Sequence, residues 1–515
     1  MNQTNHVSYL IIGAGPAGLQ SADLLRQRGD DYLVLERGSR PGVFFEQFPR
    51  HRTLLSINKV HTGYPDLDSR LRYDWNSLLT DDEELLFTRF SEDYFPSADE
   101  YVEYLRAFAE RRELAIRYDT EVSSIGREDG RFVVTATGGE RFTSDRLIVA
   151  TGVSKPFEPD VQGIELCENY VDFDMDLEGF RDKRVMILGK GNSAFETADA
   201  LTAVTRKIQV AGPKHVRLAW VSHFVGDVRA INNNFLDTYH LKGQNNVLDG
   251  ELVEVTRRED GALDARMWFE SRKREFTFVC DRILICTGFR FDTSLFDDTC
   301  QLEMACNGRL PAMTCEWEST SVPHLYFAGT LMQMRDRKKT MSSFIHGFRH
   351  NQLALDQILE RKYRGGDWRH VREAETTPES LAALVIQRVS TSPGMFLQPG
   401  FLGDLLVVPE DGPARLYEDM PVDYIHEIEG PKHGRYYVIS LEYGHVDGYM
   451  DPFAMPRGVG VPEDFYLHPI VRRFDGGEMA EHFFLPDDLD NDWRLDPDNR
   501  AKVEAFFSGE LGGGP

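Results

Sequence analysis

The sequence predicts an α/β fold with two Rossmann-like dinucleotide-binding domains, one split by insertion of the other, plus an α+β C-terminal region. Three observations predict it. Two glycine-rich loops lie about 175 residues apart, each between an apolar strand and a helical pattern. Short apolar strands ending in Thr-Gly or Ala-Gly recur where such a chain crosses between domains. After Gly366 the composition changes and a further region of about 150 residues follows, enough for a small domain.

The first loop is Gly13-Ala14-Gly15-Pro16-Ala17-Gly18, after Tyr9-Leu10-Ile11-Ile12 and before the helical spacing of Leu19 to Leu25. Gly13 permits the tight turn, Gly15 lets the backbone approach a pyrophosphate, and Gly18 lets helix and strand pack closely. The pyrophosphate then meets amide N–H groups at the positive end of the helix. An acid is expected roughly twenty residues on to take the ribose hydroxyls. Tyr32-Leu33-Val34-Leu35-Glu36-Arg37 supplies Glu36, with Arg37 beside it. A chain that opens this way is typical of FAD-binding two-dinucleotide flavoproteins. The bland alternative is a tight turn in an α/β core with no ligand.

The second loop is Gly189-Lys190-Gly191-Asn192-Ser193-Ala194, running into Phe195-Glu196-Thr197-Ala198. Ala194 stands where the third glycine would be, an accepted variant because only close packing is needed there. The strand that follows, from Lys207 to Ala211, has no carboxylate at its tip. A carboxylate there selects NADH, and a cation accommodates the extra phosphate of NADPH. Lys214 and Arg217 are the candidates, so NADPH is expected. The alternative for either is an ordinary solvated charge.

Arg146–Gly152 and Arg282–Gly288 are short buried strands whose Thr151-Gly152 and Thr287-Gly288 ends close the FAD site at the two crossings. Leu325–Thr330 ends in Gly329 and delivers the chain to the flavin-ring end, with a helix expected from Met341 to Leu355. His346 and Arg349 share a face of that helix, as a flavin-ring contact or as core packing. The FAD domain is therefore expected at 1–158 and 285–365, the NAD(P)H domain at 159–284 and an accessory region at 366–515. Helical spacing is read near Leu381–Val389, a strand from Arg435 to Leu441, a solvated acidic loop from Leu485 to Asp492, and disorder at Gly512–Pro515.

With 515 residues, 41% hydrophobic and 28% charged, the composition is that of a soluble globular protein of two or three domains. A formal charge of −26 argues against nucleic acid and anionic membranes. No apolar stretch approaches the roughly twenty residues that span a bilayer. The N-terminus lacks a cleavable leader pattern, so a cytoplasmic location is expected. Six cysteines show no C-x-x-C, pointing to reduced thiols and away from a redox dithiol beside the flavin. No metal is expected, and the choice between monomer and homo-oligomer is left open.

The two loops, Ala150-Thr151-Gly152 and Gly191-Asn192-Ser193 resemble those of class B flavin monooxygenases. Phe48–Arg52, Ser56–Lys59, Tyr73–Leu79, Gly226–Asn233 and Phe344–Arg349 resemble more closely the family of the endoplasmic-reticulum flavoprotein associated with degradation. That likeness continues at Lys432–Gly434, Glu442–Gly444 and Leu467–Pro469. The secretory signal and retention tail of that protein have no counterpart here, so its location is not carried over. An F-x-G-x-x-x-H stretch of the monooxygenases corresponds to Val161–Tyr170, which keeps Gly163 but lacks the histidine; this argues against Baeyer–Villiger chemistry.

The resemblance implies that NADPH reduces FAD, that O2 adds at the flavin C4a, and that one oxygen atom passes to a soft nucleophile, an amine or sulfur before a ketone. It also implies that Asn58 is a hydrogen-bond donor at the flavin edge; the alternative is a turn residue bonding its own backbone. The polar loop from Ser222 to Asn234 is expected to face the substrate, with Asp227, Arg229 and Asn232 lining the site; a surface Asp–Arg ion pair is the alternative. Two rival functions are an NAD(P)H-dependent reductase of a disulfide or quinone partner, and a flavin-binding protein without turnover.

Overall fold

The computed structural model describes residues 5–444 and 466–512. The first loop joins the strand Asn5–Ile12 to the helix Pro16–Arg28. Pro16 opens that helix, where a missing N–H costs nothing, and Gly29 closes it with φ 72°. Asn5–Ile12 is central in a seven-stranded sheet, parallel to Tyr32–Leu35 on one side and to Arg141–Val149 on the other. The strand Arg141–Val149 serves two partners along its length. Its first half pairs antiparallel with Arg131–Ala136, and Leu147–Val149 pair parallel with Leu325–Phe327. Residues more than 170 positions apart thereby close one sheet, which carries the first loop on the C-terminal edge of its parallel strands.

A second sheet, all parallel, runs Asn246–Asp249, Lys207–Gly212, Arg184–Leu188, Arg282–Ile285, Glu168–Asn169. The second loop follows Arg184–Leu188 and opens the helix Asn192–Leu201. The two passages between the sheets pair with each other: Lys155–Pro156 lies antiparallel to Phe289–Arg290.

Residues after 366 form a six-stranded sheet in the order Val371–Ala374, Ala414–Pro421, Leu402–Val407, Arg435–Glu442, His468–Asp475, Glu478–Phe484. Side chains alternate across it, as the strand period of two requires. Leu406, Leu416, Tyr437 and Ile439 pack with Leu381, Val385 and Phe507 of the helices Pro378–Thr391 and Pro497–Gly512. Leu405, Tyr417, Tyr436 and Val438 belong instead to the large core that also holds Leu355, Ile358 and Leu359. Each such side chain contributes about 1.5–3 kcal/mol by burial. The C-terminal region therefore shares a core with the first sheet rather than hanging from it.

The helix expected from Met341 begins four residues later and runs Ile345–Arg364. The delay has a cause: Asp336 accepts hydrogen bonds from Thr340 and from the Ser342 amide, holding 336–342 in an irregular turn. Helices Pro378–Thr391 and strand Arg435–Glu442 cover the spans read from periodicity. Of the expected disordered end, residues 513–515 lie outside the described residues.

Candidate active site

At the first loop each glycine has a separate steric reason. Gly13 has φ 100°, and a Cβ there would lie 3.0 Å from the Ala150 oxygen. A Cβ on Gly18 would lie 1.9 Å from the Gly13 oxygen, so helix and turn could not meet. A Cβ on Gly15 or Gly152 would meet nothing within 4 Å beyond its chain neighbours. Both open onto a cavity of about 590 Å³, together with Pro16, Ala17, Glu36, Arg37 and Thr151. The helix beyond Gly15 carries no acid in its first turn, leaving its positive end for a phosphate. Glu36 is buried; its two oxygens accept the Ala14 amide at 2.7 Å and the Gly38 amide at 2.8 Å. That fixes the carboxylate at the strand tip while each oxygen keeps a free lone pair. Gly329 has φ 70° and lies so near the first helix that a Cβ would be 2.5 Å from the Ala17 Cβ.

The second loop repeats the device. Gly189 has φ 121°, and a Cβ there would meet the Cys286 oxygen at 2.2 Å; Gly191 is open. Ala194 is fully buried, which its methyl permits. Asn192, Ser193 and Glu196 of the helix it opens line the same cavity as the first loop. Thr287 and Gly288 pin the passage between the sheets, Thr287 bonding the Phe157 oxygen and the Gly288 oxygen accepting the Phe157 amide at 2.8 Å.

The two expected phosphate cations part company. Lys214 is exposed, whereas Arg217 is paired with Asp227 at 3.0 Å. Sequence reasoning missed Lys190, whose nearly buried ammonium bonds the Lys214 oxygen at 2.9 Å and the Asp249 carboxylate. Asp249 also accepts from His215 at 2.7 Å. Lys190 was inside the loop motif; Asp249 ends a strand, Asn246–Asp249, too polar to be read from periodicity.

Asn192 gathers the polar loop. Its amide bonds the Asp227 oxygen at 2.8 Å, and its Oδ1 accepts the Arg229 amide at 2.9 Å and Asn232 Nδ2 at 3.0 Å. Asn232 is thus a buried brace rather than a cavity wall. Asp227 and Arg229 do not pair with each other: Asp227 takes Arg217 and Ser222, while Arg229 donates to the Leu55 oxygen at 2.7 Å. Leu55 lines the cavity.

Asn58 departs from its expected role. It is buried away from the cavity, and its amide donates to the Ser91 and Asp93 oxygens at 2.7 and 3.3 Å, bracing that turn. Arg349 likewise serves the core, bonding the Ser77 and Leu71 oxygens at 2.6 and 2.7 Å. His346 is also buried, stacked on Trp75 with ring centroids 4.3 Å apart, and among the described residues neither nitrogen has a partner. Burial and the charges of Arg349 and Arg229 hold it well below its usual pKa, hence neutral.

A segment missed as a site element clasps the two sheets' domains. Arg50 donates to the Val171 and Phe173 oxygens at 2.5 Å each, His51 contacts Thr197 at 3.3 Å, and Phe48 stacks on Tyr170. Within this clasp the Tyr170 hydroxyl donates to Glu196. Burial pushes the Glu196 carboxyl up to about 7, against hydrogen bonds from Tyr170 and the His51 amide that pull it down. Burial also pushes Cys167, Cys280, Cys286 and Cys315 up to about 12 and Cys300 to about 11. All six thiols are unpaired and none lines the cavity.

Two backbone cradles facing one cavity decide the family, and comparison with known proteins agrees: residues 10–329 match the pyridine nucleotide-disulphide oxidoreductases. The chain belongs to that family. It is 36% identical over 507 residues to the mouse (Mus musculus) FAD-dependent oxidoreductase domain-containing protein 2, covering 90% of this chain and 76% of the relative. In fold it is similar to a flavin-containing monooxygenase from Stenotrophomonas maltophilia (TM-score 0.54, 18% identity, 70% of this chain and 100% of the other). It is equally similar to the bacillithiol disulfide reductase of Staphylococcus aureus (TM-score 0.53, 18% identity, 70% and 100%). The chain is therefore an FAD-dependent oxidoreductase, and FAD and NADPH fit its family. Among the described residues no helix is long and apolar enough to cross a membrane.

Proposed function

We propose that this chain is a single-component flavin monooxygenase that uses NADPH and O2 to oxygenate a small soft nucleophile. In this reading residues 1–158 and 285–365 hold FAD, 159–284 hold NADPH, and 366–515 are an accessory region. Gly13, Gly15, Gly18, Glu36 and Gly152 bind the flavin nucleotide; Gly189, Gly191, Asn192 and Ser193 bind the nicotinamide nucleotide, with Lys190 and Lys214 near its ribose. Bound FAD would supply the redox chemistry, accepting hydride and passing electrons to oxygen.

The observation that carries the choice is the cavity wall. Phe44, Phe45, Phe48, Leu54, Phe289, Phe344 and Phe348 line it, and no thiol does. Apolar walls exclude water, as oxygen-transfer chemistry requires; passing electrons to a disulfide calls for a reactive thiol at the flavin, and Cys167, Cys280, Cys286, Cys300 and Cys315 are held protonated by burial. Glu196, on that wall, is poised to hold or release a proton near neutral pH.

The deciding experiment follows NADPH oxidation under ¹⁸O2 with a panel of amines and thioethers. Label in an organic product supports the reading. NADPH oxidation coupled to a quinone or disulfide, with no label incorporated, replaces it with a reductase.

A further inference from the structure

Arg229 stands behind the cavity wall, bonded to Leu55, which lines it. Its guanidinium donates to one carbonyl, that of Leu55, and faces the rings of Trp75 and Phe95 at 5.4 and 5.9 Å. Among the described residues it makes no ion pair with a carboxylate. The nearest candidate in sequence, Asp227, is turned to Arg217 and Ser222. Arg50 and Arg309 are likewise held by backbone carbonyls without an ion pair among the described residues; what sets Arg229 apart is the company of an unsatisfied imidazole. Two other buried arginines are also held by carbonyls, Arg72 and Arg349, but both are sealed in the core and feel the field of Asp492 and Asp74. Arg229 is half-buried, and among the described residues no carboxylate acts on it.

Its surroundings extend the pattern. His346 is 1% exposed, and among the described residues neither ring nitrogen has a hydrogen-bond partner. Its ring is stacked between Trp75 and Phe344. Phe344 lines the cavity, as do Ser343 and Ile345 on either side of it. The result is a cation, an unsatisfied imidazole and aromatic faces grouped behind the wall formed by Leu55 and Phe344; of them Phe344 lines the cavity itself. A desolvated guanidinium favours a bidentate carboxylate, and a buried imidazole without a partner is destabilising until something bonds it.

We propose that the substrate is a carboxylic acid with an apolar, ring-sized body: the carboxylate forks onto Arg229, and the body lies against Trp75 and Phe344 within reach of His346. This deepens the monooxygenase reading and rests on it for the word substrate. The binding site itself stands without it. The device also predicts discrimination. A neutral isostere leaves the guanidinium unpaired in a desolvated site, so it binds worse than the acid.

The test titrates FAD-loaded protein with phenylacetate and with its neutral isostere phenylacetamide, following the visible flavin spectrum, in wild type, Arg229→Gln and Arg229→Lys. Expected is at least a tenfold preference of the wild-type protein for the acid, abolished in Arg229→Gln and partly kept in Arg229→Lys. Equal affinity for acid and amide in the wild-type protein, or binding of neither, overturns the proposal without recourse to any variant. So does an undiminished acid preference in an Arg229→Gln protein that retains its flavin. Failure of the monooxygenase reading shows elsewhere, as NADPH oxidation without label transfer, and leaves the acid preference measurable.

Discussion

The Tyr170 hydroxyl lies 3.2 Å from Oε1 of Glu196, on the wall that the two nucleotide loops share. Tyr170 follows the first passage between the sheets, and Glu196 rides the helix of the second loop, so one hydrogen bond ties the crossing to the cradle. It also favours the ionised carboxyl against burial.

A carboxyl raised from 4.5 to about 7 binds its proton more tightly in the folded state. Its contribution to stability is complete below about pH 4.5 and lost as pH rises through 7, a change of about 3 kcal/mol. Glu196→Gln should therefore melt at the same temperature as wild type near pH 4 and at a higher one at pH 8. In the same variant, any inflection near pH 7 in the rate of flavin reduction should vanish. Tyr170→Phe should move that inflection upward, because it removes a donor to the ionised form. A pH profile unchanged in both variants assigns the inflection to another group.

The two loops should fail separately. Gly13→Ala and Gly189→Ala each force a side chain into positive φ and against a carbonyl, at about 1–3 kcal/mol for the backbone strain alone. Gly13→Ala should purify with little flavin. Gly189→Ala should purify yellow, with hydride transfer from NADPH at least tenfold slower at sub-saturating NADPH. Loss of flavin from Gly189→Ala instead would mean that the second loop holds the first nucleotide's site together rather than binding its own.

Selection of NADPH should rest on Lys214 more than on Arg217, which Asp227 already occupies. Lys214→Glu is expected to raise KM for NADPH about tenfold, the scale of one charge-assisted contact, while leaving that for NADH little changed. If NADH is the better substrate of the wild-type protein, Asp249 rather than the cations reads the ribose.

In the C-terminal region Arg388 is enclosed by Asp404 at 2.6 Å and by Glu418 and Asp419 at 3.2 Å. Truncating it to Met strands buried carboxylates, a loss of about 3–5 kcal/mol. Because this region shares a core with the first sheet, the flavin should be released in the same urea transition. Flavin retained after the C-terminal sheet unfolds would show the two to be independent. Adding Asp404→Asn to Arg388→Met should recover part of the loss.

What the sequence revealed and what it hid follow from the range of the interactions involved. Gly13, Gly18 and Gly189 were legible because each answers a clash a few residues away along the loop or at a fixed strand crossing. Glu36 was legible for the same reason, as the tip of the adjacent strand. Asn58 was marked by the family resemblance, Asp227 by the polar density of its loop and Arg349 by its shared helix face with His346, but their partners are fixed by tertiary contacts. Ser91 and Asp93 take the Asn58 amide, Arg217 takes Asp227, and carbonyls at 71 and 77 take Arg349. Glu196 was read as a cofactor contact; its proton affinity arises from burial, opposed by the Tyr170 hydrogen bond, and no spacing encodes either. Of the six-stranded C-terminal sheet only Arg435–Leu441 was legible; Leu402–Val407 was not, because Leu405 and Leu406 are buried on opposite faces and show no polar alternation.

The most direct measurement mixes the purified, FAD-reconstituted chain with NADPH in the absence of oxygen and records the flavin absorbance. One flavin per chain, bleached by a stoichiometric amount of NADPH, is the expected result. A protein that stays colourless after reconstitution, or a bound flavin that NADPH leaves oxidised, contradicts the pairing of two nucleotide cradles across one cavity.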